Sequence, residues 1–330
     1  MRCIYCLTEK DPTHFRGREH VTQQAFGVFD TNNLVLKCVC DDCNLQIGKT
    51  IDMKLARDAI EAVARVQDGV LPAAEYKHLG GRSTSYVEIM EGPLAGWRGF
   101  NVANAGGSDI GIEPFPQVSI GRSEDGPFEV FRVDLDEVPT KEELVAKGFV
   151  RGDTLFIRSQ GVDDLPALLT SKGFNVDGLV FASSDSLSGR RFYSETVTRV
   201  SHDEFRAVTK VALNYLAAVV GAQQARLPEF DSARNYVLHG LERGRVRVYA
   251  YENRWFLGRR GHYVSLTRVD DMIVAQLSIL LRVQYFVVLA ENAADMPFKS
   301  SAHFFDLDAR RISEIEPLPP IPGRPLKAID

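Results

Sequence analysis

Two C-x-x-C pairs frame the first fifty residues: Cys3-Ile-Tyr-Cys6 and Cys40-Asp-Asp-Cys43. Each pair can grip one metal through two thiolates. Four thiolates fill the tetrahedral shell of zinc and leave no open position, so such a site is structural. A fifth cysteine, Cys38, could replace Cys40, but its spacing to Cys43 is wider than a knuckle prefers. No cysteine follows Cys43. A disulfide framework would scatter its cysteines over the chain it staples, so this clustering points to metal rather than to ordinary free thiols.

Between the pairs lie other residues with chemistry to offer. Glu19-His20 precedes a Phe26-Gly27 turn, Asn33 opens a short apolar run, and Asn44 follows the second pair at once, with Gly48-Lys49 beyond it. Strand, loop, strand and helix, pinned by zinc, would bring Glu19, His20 and Asn44 together. Cleaving a phosphodiester needs a base to activate water, a metal to neutralise developing charge, and support for the leaving oxygen. His20 has the right ordinary pKa for the base. Glu19 and Asn44 offer hard oxygen ligands suited to Mg²⁺ or Mn²⁺, and two protein ligands are normal for Mg²⁺. Taken singly, each residue has a plainer reading. A Glu-His pair on a strand is usually surface, an Asn after a knuckle is often a helix cap, and Lys49 is as readily a solvated helix-end charge as a phosphate ligand. Their joint order between two zinc pairs favours the nuclease reading.

The pattern CxxC…EH…NNL…CxxCN…GK over about residues 1–60 resembles the zinc-bound HNH, or ββα-metal, endonucleases. MRCIYC, EHVTQQAFG and CDDCNLQIGKT are similar in particular to the compact bacterial subgroup with paired knuckles. The resemblance implies that His20 is the general base and that Glu19 is a metal ligand. It implies that Asn33 braces the loop carrying the base. Asn44 would replace the last His, as in the HNH domains of some CRISPR effectors, and ligate the metal. Glu in place of the commoner Asp, and Asn in place of His, depart from the usual pattern. The amide would bias the site toward Mg²⁺ or Mn²⁺ and away from softer ions.

The elements that must hold these residues follow from periodicity and punctuation. A chain of 330 residues suggests two or three domains, and 45% apolar with 25% charged residues is globular composition. Ile51, Leu55, Ala59, Val63 and Val66 form one stripe of a helix over 50–67. YVEIM, GFNV, FPQVSI and FEVFRVDL read as strands between turns, TLFIR and GLVFAS as buried strands, and TKEE as a capping box. SHDE caps the strongest helix, expected over residues 203–225, and FDSARNYVLH another that Gly240 ends. RVRVYAYE, HYVSLTRV, MIVAQLSILL and QYFVVLA follow as strands, and the tail from Pro317 is expected to pack poorly. The expected class is α+β: an HNH module over residues 1–70, an acidic β-rich domain over 71–200, and a helix pair with antiparallel sheet over 201–330. The last two could form one body.

Lys and Arg minus Asp and Glu run 9−10, 13−19 and 17−15 over those three segments, for a net charge of −5. The acidic middle argues against one DNA channel along the whole chain. Residues 234–268 interleave arginines, Arg245 and Arg247 among them, with aromatics, a composition that suits phosphate contact and base stacking. A polar-out antiparallel strand shows the same alternation. This part is loosely similar to regions attached to HNH modules in bacterial proteins, which could bind DNA, sense a modified base or a signal nucleotide, or form a dimer.

No apolar run reaches transmembrane length, and MRCIYCLTEK has no signal-peptide core, so a cytoplasmic protein is expected. The sequence therefore leads to a DNA endonuclease with structural Zn²⁺ and catalytic Mg²⁺ or Mn²⁺, in a setting of host defence or restriction. Two copies would serve a double-strand break, and a small molecule or protein could act as activator. The rival is a non-catalytic zinc-knuckle module that binds DNA or protein.

Overall fold

The computed structural model describes residues 1–31, 34–72, 75, 85–92, 94–103, 110–124, 127–149, 154–177, 193–241, 247–252, 258–294, 296–319 and 328–329. The chain divides into two compact units. One joins Met1–Thr84 and Ala105–Asp109 to Thr198–Asp330, and the other comprises Ser85–Asn104 and Ile110–Val197.

The first unit opens with a two-residue ribbon, β1 (Glu19–His20) antiparallel to β2 (Val35–Leu36), with Glu19 opposite Leu36 and His20 opposite Val35. Helix α1 (Asp41–Ile47) follows, with two aspartates in its first turn, where the helix dipole favours anions. A π-helical segment, Gly48–Asp52, leads into α2 (Met53–Arg57) and, after a break at Asp58-Ala59, α3 (Ile60–Gln67). The expected single helix over 50–67 is thus three pieces. Its stripe survives the breaks: Ile51, Leu55, Ala59 and Val63 are all buried.

The second unit holds β3 (Ser85–Ile89), β4 (Arg98–Ala103), β5 (Ile110–Pro114), β6 (Gln117–Gly121), β7 (Phe128–Arg132), α4 (Lys141–Ala146), β8 (Phe156–Gln160), α5 (Leu165–Ser171) and β9 (Ser194–Thr198). They form a sheet ordered β5-β4-β3-β9 and another ordered β7-β6-β8. Thr140 and Glu143 close the expected capping box on α4. Strand β8, expected to be buried, is half-buried because it is an edge strand. GLVFAS lies outside the described residues.

The chain then returns to the first unit. Strand β10 (Val200–Ser201) leads into α6 (His202–Val220), capped by the Ser201–Glu204 box and ended by Gly221 at φ 95°. Helix α7 (Asp231–His239) ends at left-handed Gly240. Six strands follow: β11 (Val248–Glu252), β12 (Gly261–Val269), β13 (Met272–Ser278), β14 (Val283–Ala290), β15 (Ser301–Asp306) and β16 (Arg311–Ile315). They make one antiparallel sheet in the order β11-β14-β13-β12-β15-β16. The tail is better anchored than expected: the Leu318 N–H donates to the Tyr263 hydroxyl at 2.9 Å, and β17 (Ala328–Ile329) pairs parallel with β10.

Helix α6 explains why the two ends of the chain share a unit. Residues 207–217 are buried on every side. A helix buried all round lies inside a core, between two layers, and its polar residues must find partners there. Strands β12, β13 and β14 lie against α6, and β2, the π-helical segment and α2 do so too. Cys3, Ile4, Phe26, Leu36 and Ile51 therefore belong to the same apolar core as Val208, Val211, Tyr285 and Val287. A second tie runs from the loop after β1 to the sheet. His262 is fully buried, donates from Nε2 to the Phe26 carbonyl at 3.0 Å and accepts the Leu280 N–H on Nδ1 at 2.9 Å. Burial holds that imidazole neutral, its pKa pushed down to about 4.

Candidate active site

The Sγ atoms of Cys3, Cys6, Cys40 and Cys43 lie within 4.8 Å of one another. Cys6 and Cys40 are 3.9 Å apart, close to the ~3.8 Å edge of a zinc tetrahedron with Zn–S bonds of about 2.3 Å. Backbone N–H groups of Tyr5 and Cys40 donate to the Cys3 sulfur, each at 3.4 Å, and the Lys10 ammonium reaches Cys40 at 3.5 Å and Asp42 at 2.7 Å. The hydrogen bond with Cys43, with help from those N–H groups against the effect of burial, pulls the Cys3 thiol down to about 4. These donors stabilise the Cys3 thiolate, and the four sulfurs fit one zinc ion. Cys38 is outside the cluster, and burial pushes its thiol up.

This cluster joins the Cys3–Cys6 segment to the start of α1. Cys40 is the residue preceding the helix, so Asn44 is not its cap; the Asn44 N–H donates to the Cys40 carbonyl at 3.0 Å within the helix. Asn44 lines an open groove of about 620 Å³ with Arg16, Gly17, Asp41, Leu45, Gly48 and Lys49. Asp41 organises one wall: it accepts the Gly17 N–H at 2.9 Å and pairs with Arg16 at 3.6 Å. A Cβ at Gly17 would meet the Asn44 amide nitrogen at 3.0 Å and an Asp41 oxygen at 3.3 Å, so a larger residue would displace those side chains. Arg16 and Lys49 are both exposed. The rim thus carries two exposed cations, of which Arg16 is paired with Asp41.

Glu19 and His20 are not in that wall. His20 is half-buried. Burial, then Arg18 and Lys210, lower its pKa against the opposing pull of Glu19, so the ring is neutral near pH 7, the state a general base requires. Glu19 is buried and points to α6. Its Oε1 forms an ion pair with Lys210 and accepts the Asn214 amide at 2.7 Å. Lys210 also meets Asp52 at 3.1 Å, and Gln23 donates to the other Asp52 oxygen at 2.7 Å. Asn214 is held in turn by the Tyr5 hydroxyl, which donates to its Oδ1 at 2.8 Å. Burial alone would push the Lys210 ammonium down, but Asp52 and Glu19 more than offset this and its pKa is raised. With Glu19 clasped in this way, the arrangement does not fit a divalent cation on that carboxylate.

Asn33 and Arg245 lie outside the described residues. Arg247 is engaged by Glu291 at 2.7 Å and by the Met272 sulfur at 3.0 Å. Elsewhere in the basic stretch, Arg234 is buried on the Ala225 and Leu227 carbonyls, Arg259 pairs with Asp306, and Arg260 with Asp308. Of these, only Arg234 is buried in the fold; the others stand in ion pairs at the surface. The sequence reading passed over Lys210, Asn214, Asp52 and Tyr5. The signal was present in TKVALN, where a lysine and an asparagine four apart interrupt an otherwise apolar helix.

No curated protein and no solved structure matches the chain. Residues 3–60 do match a family model, that of the HNH endonuclease, so the head that gathers the four thiols is similar to the module of that family.

Proposed function

We propose that the protein is an endonuclease that hydrolyses phosphodiester bonds of DNA, with His20 as general base. The convergence of four thiols on one centre carries this reading, because one ion would hold the Cys3–Cys6 segment against the start of the helix that bears Asn44. In the proposed reaction His20 takes a proton from water, the oxygen attacks phosphorus, the opposite P–O bond breaks, and the leaving oxygen takes up a proton from solvent to become a hydroxyl. Arg16 and Lys49 bind flanking phosphates at the groove rim, and Asn44 orients the strand between them. HNH nucleases use a divalent metal, Mg²⁺ or Mn²⁺ in this proposal, which neutralises charge on the phosphate oxygens. Host defence or restriction is the proposed setting, and the part beyond the head is proposed to set target or activation.

One observation favours a second reading. Glu19 already has a cation in Lys210, as a head that only binds DNA or protein would allow. Nicking of supercoiled plasmid by the zinc-loaded chain separates the two. Cutting that needs added Mg²⁺ or Mn²⁺ and is lost in folded His20→Ala supports the nuclease. Equal cutting by both proteins removes His20 from the mechanism. Retardation of DNA without cutting favours the binding module.

A further inference from the structure

The buried ion cluster beneath the hairpin has a shape that stability alone does not require. Lys210 is 1% exposed, Glu19 8% and Asp52 18% at the side chain. Two carboxylates from the HNH module thus enclose one ammonium from α6, leaving a formal charge of −1 in the pocket. Around them stand the Asn214 amide, the Gln23 amide and the Tyr5 hydroxyl. The two amides turn their N–H₂ groups to the carboxylates, so the hard oxygen ligands in the pocket are those of Glu19 and Asp52, the donor class that Mg²⁺, Mn²⁺ and Ca²⁺ take. Glu19 is also the carboxylate that the HNH resemblance assigns to metal.

We propose that Lys210 is the resident cation of a Glu19–Asp52 pocket, and that the ammonium and a divalent ion exclude one another there. Helix α6 thereby keeps the HNH carboxylate closed to metal. The exclusion stands on the geometry alone; its effect on cutting rests on the nuclease reading above. Removing the ammonium while keeping its volume, as in Lys210→Met, leaves two facing carboxylates whose charge a divalent ion matches.

The test uses the zinc-loaded full chain: wild type, Lys210→Met, Lys210→Arg and the double variant Glu19→Gln/Lys210→Met. Bound Mn²⁺ is counted by electron paramagnetic resonance, and thermal melts are run with and without Mn²⁺. Relative to wild type, Lys210→Met is expected to gain one Mn²⁺. Its melting temperature should rise by about 5 °C at a hundredfold excess over Kd. Lys210→Arg and the double variant should gain neither. If Lys210→Met folds only when Mn²⁺ is added, that rescue is the same result. No gain in Lys210→Met, an equal gain in the double variant, or a Lys210→Met chain that stays unfolded in Mn²⁺ while the double variant folds would each overturn the proposal. None of these measurements needs DNA cutting, so an inactive nuclease leaves the outcome readable.

Discussion

Glu61 on α3 offers a quantitative check on how the core of the first unit is built. It is fully buried; its Oε1 accepts the Tyr285 hydroxyl at 2.9 Å, and its Oε2 has no hydrogen-bond partner. Burial, and then the neighbouring Glu204 carboxylate, push its pKa up to about 8. In the unfolded chain the same group titrates near ~4.3. Between those values the folded state holds a proton that the unfolded state has released. Stability is therefore fully present below the unfolded value and falls as pH rises toward 8. His262 acts in the opposite sense: its folded pKa is depressed, so its contribution is lost as pH falls from 6.5 toward 4. The clean window for Glu61 is thus pH 6.5 to 8. Integrating across it, the wild type should lose about 1.5 kcal/mol that Glu61→Gln does not, or roughly 3 to 6 °C in melting temperature. Thermal melts of the two zinc-loaded proteins at pH 6.5 and 8.0 measure the difference. Parallel pH curves would show that Glu61 is ionised in the folded protein and refute the reasoning.

Zinc removal should be more drastic. Structural zinc is worth about 10–16 kcal/mol in small zinc modules, against about 5–15 kcal/mol for the net stability of a typical domain. Cys43→Ser should therefore lose the metal and the helical signal of the head together, as read by metal content and circular dichroism; a metal-free chain with wild-type ellipticity would count against the site. Gly17→Ala places a methyl group against the Asn44 amide and should lower the rate of DNA cutting at least tenfold, while stability, followed by urea unfolding, changes by ~1 kcal/mol or less. Unchanged cutting would remove the groove from the reaction.

What the sequence made legible was local. Knuckle spacing, the EH strand, the capping boxes and the apolar stripes each depend on residues a few positions apart, and each reappears in the fold. The partners of Glu19 were not legible. Lys210 and Asn214 are brought to it by the packing of α6 against the head, across 195 positions in the case of Asn214. The arginine-rich stretch was open to two readings for a related reason. Composition cannot tell a guanidinium aimed at phosphate from one that closes on Asp306 or on the Ala225 carbonyl. The breaks at Gly48–Asp52 and Asp58 were hidden because every piece buries the same stripe.

The core shared by residues near both ends of the chain also sets an order of events during synthesis. Glu19 leaves the ribosome 195 residues before Asn214, which at about 5–20 residues per second is a delay of roughly 10 to 40 s. Once Cys43 has emerged the four thiols can meet, but until α6 follows, Glu19 and Asp52 have no ammonium and Tyr5 has no amide to bind. A nascent or truncated chain therefore carries an unfinished head. Only a chain translated through α6 can assemble it.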